Sequence, residues 1–206
     1  ILSRSAELAG SVERSLRAYD ALAATRRLET AIDELSTWYL RRSRDRFAPS
    51  APAKDRAAAF ATLHEALLVV VRCAAPIAPF FTEAIYRNLA LIAPESADAD
   101  ASGVAVGEAD RHPVGTAGEP LAAAIHKGKA PRSVHLLRWP SAESAGWRDE
   151  DLEVAMARVV RAAELGRSVR SAASVRTRQP LARARVVMGN LGGDAPALLS
   201  ILAEEL

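Results

Sequence analysis

Between residues 28 and 46 one helical face changes character. At about 3.6 residues per turn, Leu28, Ile32, Leu35 and Tyr39 share a face, and Arg42 and Arg46 continue it. The stretch IDELSTWYLRRSRDRF is therefore a helix whose core stripe runs into arginine. Such a stripe either pairs with buried carboxylates or leaves the core for an anionic partner. Trp38 stands beside it, with Arg41 and Arg42 at neighbouring helical positions. A Trp half-buried at a bundle edge among solvated arginines is the competing reading of the segment alone.

The same periodicity recurs along the chain. Residues 2 to 47 read as helix, with a break into two near Tyr19–Asp20. Residues 55 to 75 place Phe60, Leu63, Leu67, Val70 and Ala74 at helical spacing, and Pro76 and Pro79 end that helix. Thr82 is the expected N-cap of the next helix, with Glu83 in its first turn and its end near Ile92. SVHLLRWP, residues 133 to 140, reads as a short extended segment. A long helix over 149–174 turns Leu152, Met156, Val159 and Ala163 inward. Gln179, before Pro180, is expected to be extended. Residues 183–188 fit a strand, and Asp194 is the expected cap of a final helix. The fold class is mainly α: an antiparallel helix bundle over 1–180, then a short strand–helix appendage over 181–206. Residues 93–131 form an acidic insertion, with six acids against Arg111 alone between 95 and 119; it is expected to stay flexible on the surface.

At 206 residues and 50% hydrophobic content the chain supports one good core. A net charge of +2 does not mark a nucleic-acid binder. Distribution is more telling: from Arg158 to Arg185 there are eight arginines and one acid, Glu164. That is a usable phosphate footprint, or a solvated helix face. Cys73 is the only cysteine, so a disulfide within the chain and a cysteine-based zinc site are both excluded. The apolar run LLVVVRCAAPIAPFF reads as too short and interrupted for a membrane span. No secretory signal precedes it, and a cytoplasmic location is expected. The chain opens on ILSR without Met and stops at AEEL, as a segment of something larger would. His64, His112, His126 and His135 show no metal-ligand spacing, and no Gly-rich phosphate loop is present. No catalytic and no metal-binding residues are expected.

Four stretches together resemble one family, in order. ILSRSAELAGSVERSLRAYDALAATRRLETAIDELSTWYLRRSRDRF is similar to the start of the anticodon-binding region of isoleucyl-tRNA synthetases, the LS-x-WY-x-RRSR-x-RF pattern being the most specific part. APIAPFFTEAIYRNL, SVHLLRWP and GRSVRSAASVRTRQPLARARVV resemble three further elements of that region. Ala84 stands where the family has a second glutamate, and the acidic insertion is longer than usual. Catalytic and editing signatures of the family are missing.

The resemblance implies the tRNA-binding domain of an ATP-dependent isoleucine–tRNA ligase, inactive by itself. Its partners would be the tRNA(Ile) anticodon arm and the catalytic domain of the same polypeptide, without DNA or membrane, in a monomer. ATP with Mg would serve the full-length enzyme and no cofactor this segment. RNA contacts are expected from Trp38, Arg41, Arg44, Arg170, Arg176, Arg178 and Gln179. Arg42 and Arg46 are expected in interdomain or structural salt bridges. A helical protein-interaction module, or the equivalent domain of a valyl-, leucyl- or methionyl-tRNA synthetase, is the alternative.

Overall fold

A computed structural model describes residues 1–91, 125, 131–176, 179–189 and 191–206. Apart from Ile125 and Pro131, the expected insertion over 93–131 lies outside the described residues. Two compact units are present, Ile1–Arg148 and Asp149–Leu206.

In the first unit, α1 (Leu2–Arg17) and α2 (Ala21–Asp33) form a hairpin. Its turn sits at the expected break: Tyr19 takes a left-handed φ of 58°, and the Asp20 carboxylate accepts from the Ala23 N–H at 2.9 Å. α4 (Ala53–Ala74) packs on both, and α5 (Pro79–Leu91) packs on α4. The short α3 (Arg44–Phe47) also leans on α4.

α4 serves two cores, which is why its inward residues depart from the single-stripe expectation. Val69 and Cys73 join Leu8, Ala9, Val12, Ala24 and Leu28. Leu68 and Val71 join Tyr86, Leu89, Ile125 and Val134. Phe60 instead lies more than half exposed against Phe47, ring centroids 5.0 Å apart. The 22-residue α4 contains an 18-residue stretch of mean hydropathy 1.6, long and apolar enough to cross a bilayer by length and composition. A bundle's central helix has the same composition, and α4 is packed by α1, α2, α3 and α5.

α5 begins at Pro79 rather than at Thr82, because proline at a first helical position has no N–H to lose. Thr82 is consequently inside the helix, buried, its hydroxyl donating to the carbonyls of Ala78 and Pro79. Glu83 reaches out of α5 to the SVHL stretch and accepts from Ser133 Oγ at 2.9 Å and the Val134 N–H at 3.0 Å. Burial raises the carboxyl's pKa, but these bonds and Arg87 outweigh it and hold Glu83 below its ordinary value. Gripped this way, Val134–Leu136 forms a 3-10 turn instead of an extended segment. Nearby, the buried Tyr86 hydroxyl donates to the Pro131 carbonyl at 2.7 Å. Arg72 Nε donates to Arg138 O, and Trp139 Nε1 to Ala9 O, both at 3.0 Å. Ile125 falls within the expected insertion yet is buried in the α4–α5 core. α6 (Ser141–Ser144) and the 3-10 turn Ala145–Trp147 end the unit against α1.

The second unit is α7 (Glu150–Ala172), an extended run, and α8 (Ala195–Glu205). Asp149 caps α7 by accepting from the Leu152 N–H at 2.9 Å. Val159, Ala162 and Ala163 of α7 are buried, as are Leu198 and Leu202 of α8, which packs on α7. Leu152, expected inward, is exposed. The expected strand over 183–188 is not formed: residues 183–189 have no ladder partner among the described residues, and a strand needs one. Asp194 does occupy the N-cap of α8, but its side chain makes no capping bond.

Candidate nucleic-acid interface

The helix that starts at Ala21 changes register at Glu34. Glu34–Leu40 is a π-helix, in which each hydrogen-bonded turn takes in one more residue. That extra residue moves every later side chain by one position, about 100° around the axis. Leu35 is buried, whereas Ile32 is exposed. The next buried position is Ser43, where α-helical spacing calls for Arg42. Arg42 and Arg46 are carried off the core stripe and lie half-buried.

Around this turn the arginines are held by different groups. The Arg41 and Arg42 guanidinium carbons lie 5.5 Å and 6.0 Å from the centre of the half-buried Trp38 ring, within cation–π range. Arg41 Nε also donates to the Thr37 carbonyl at 3.0 Å. Arg44, on α3, is exposed and makes no ion pair among the described residues. Arg46 forks onto Asp55 at the start of α4, with Nη2 and Nε 2.8 Å and 3.0 Å from Oδ1. This bond holds the Asp55 carboxyl below its ordinary value. Arg4 of α1 forks onto Glu34 at 2.8 and 2.9 Å, tying the π-helix to the hairpin. The Tyr39 hydroxyl is buried and makes no hydrogen bond to a described residue.

The second unit distributes its arginines unevenly. Arg170 is only 6% exposed; its Nη2 donates to the Arg176 carbonyl at 2.9 Å and to that of Gln179. The turn after α7 is wrapped around it, with Ser174 at a left-handed φ of 56°. Arg167 pairs with Glu205 of α8 at 2.8 Å and Arg161 with Glu164 at 3.2 Å. Arg176, Arg183 and Arg185 are exposed, as is Gln179. Arg178 lies outside the described residues. The seven-charge excess read along the sequence is thus smaller in space. Glu205, 38 positions from Arg167, left no local signal of that pairing.

The burial of Cys73 pushes its thiol up to about 12 and makes it a poor nucleophile. No group of three His, Cys, Asp or Glu side chains among the described residues could hold a metal ion.

A helical bundle with arginines gathered on an indole offers guanidinium forks for phosphates and planes for unpaired bases. Residues 1–187 match the family model for the anticodon-binding domain of tRNA ligases, and the chain belongs to that family. The isoleucine–tRNA ligase of Deinococcus radiodurans is 39% identical over 186 residues, covering 90% of this chain and 14% of that protein. Those of Thermobifida fusca and Streptomyces coelicolor are 36% and 35% identical over all 206 residues, 16% of each relative. The chain thus spans about one-sixth of the length of these curated relatives.

Proposed function

We propose that this chain is the anticodon-arm-binding domain of an isoleucine–tRNA ligase, positioning tRNA(Ile) in the cytoplasm for attachment of isoleucine elsewhere in a longer monomeric polypeptide. The observation that carries the proposal is the Trp38–Arg41–Arg42 cluster, in a chain of this family. Guanidinium groups meet phosphates, and unpaired bases can lie on Arg or aromatic planes. Arg44 of the first unit and Arg176, Arg178 and Gln179 of the second are proposed as further RNA contacts. Arg170 acts at one remove, by fixing the turn that displays Arg176 and Gln179. Arg46 serves as a structural bridge to Asp55, and Arg42 lies between the two roles. Ile77, Phe80 and Phe81, exposed on and just before α5, favour contact with the catalytic domain of the same polypeptide. ATP and magnesium would serve the longer enzyme, where isoleucine is attached.

Binding of a tRNA(Ile) transcript by the purified chain, measured at two salt concentrations, tests the proposal. Affinity should fall steeply with salt and drop again when the anticodon is changed. Equal binding of any tRNA would remove the isoleucine assignment, and no binding would remove the function.

A further inference from the structure

The π-helix closes at Arg41, whose main chain and side chain both bond back to it. In an α-helix the Arg41 N–H would donate to the Thr37 carbonyl. Here it donates to the Trp38 carbonyl, a tight i→i−3 bond that closes the π-helix, while Arg41 Nε donates to the Thr37 carbonyl at 3.0 Å. Two further side chains bond back to the main chain of this turn: Thr37 Oγ1 donates to Asp33 O at 2.6 Å and Ser36 Oγ to Ile32 O. The same Arg41 guanidinium lies over Trp38. One side chain therefore touches both the main chain of the turn and the indole it displays.

We propose that Arg41 is a positioning residue for RNA binding: it locks the π register, which brings Ser43 to the core in place of Arg42 and gathers Arg42 on Trp38. This rests on the tRNA-binding reading and adds to it how the site is set. Simple charge would be supplied equally well by lysine; the lock would not, because lysine has no Nε–H at that reach from the main chain and its head is a single point of charge.

The test uses the full chain labelled with 5-fluorotryptophan, whose Trp38 resonance is assigned by its loss in Trp38→Phe. Arg41→Lys and Arg41→Ala are each expected to shift that resonance and to weaken tRNA binding by a similar factor, about tenfold. Deletion of Thr37, which removes the extra residue, should shift the same resonance while circular dichroism reports retained helix. If Arg41→Lys leaves the resonance in place and binds as tightly as the parent, the lock is wrong. Weakened binding with an unmoved resonance would make Arg41 a direct contact and overturn the positioning role. A moved resonance with unchanged binding would separate the register from the RNA site and overturn their connection. Failure of the parent chain to bind tRNA overturns the functional reading, and the fluorine spectrum still decides whether Arg41 holds the turn.

Discussion

The arginines at 41–46 and those from 158 to 185 look alike in sequence but are deployed differently. In the first group a change of helical register lifts Arg42 off the core stripe and gathers it with Arg41 over an indole. In the second group, Arg161, Arg167 and Arg170 are engaged with a neighbouring acid, with α8 and with the turn carbonyls. The difference teaches that charge counted along a helix is an upper limit. What a polyanion meets is set by where the following elements return their acids and carbonyls.

The comparison is most sharply tested by mutating the exposed and engaged tail arginines separately. Reversing Arg176, Arg183 and Arg185 to Glu should lower the log–log salt slope of tRNA binding by about 0.7 to 0.9 for each phosphate no longer neutralised. Reversing Arg161 and Arg167 should lower it far less; equal reductions would mean bulk charge governs binding. Next in size is Arg170→Ala, which leaves the turn carbonyls without their charged donor and should destabilise the second unit by about 2 kcal/mol, read from thermal unfolding. An unchanged melting curve with weakened RNA binding would return Arg170 to the outward group.

Glu83→Gln probes an inward contact that uses no arginine stripe. Because the Glu83 pKa is lowered on folding, its contribution is fully present above about pH 4.5 and is lost as the pH falls through the lowered value. The variant should melt lower than the parent near pH 7 and converge with it in acid; a constant difference would remove ionisation from the account. The smallest effect is expected from Tyr39→Phe, which deletes a buried hydroxyl lacking a described acceptor. Stability should hold or rise by up to about 1 kcal/mol. A clear drop would reveal a partner for that hydroxyl.

The helical class, the hairpin break at Tyr19–Asp20 and the family were legible because each is written locally, in spacing, in a cap and in ordered motifs. The π-helix was not legible. Leu28, Leu35 and Tyr39 fit α-helical spacing well, and what speaks against it is Ser43, a residue with no apolar signature. Thr82 has the chemistry of a cap, but Pro79 starts the helix before it. Ile125 lies in a segment whose average composition is polar, and burial is a property of one side chain rather than of an average. Arg170 carries a charge that composition places outside, and only the carbonyls of a turn six to nine residues later give it a reason to be inside.

Cys73 gives this fold a built-in clock. The sole thiol sits where α4 meets the α1–α2 hairpin, out of contact with solvent and with its ionisation displaced to about 12. An alkylating reagent at neutral pH therefore finds neither access nor thiolate until that core opens, so the labelling rate counts openings. Mass spectrometry after timed quenching would follow the hairpin's breathing with no added probe, and tRNA that braces this unit would slow the count.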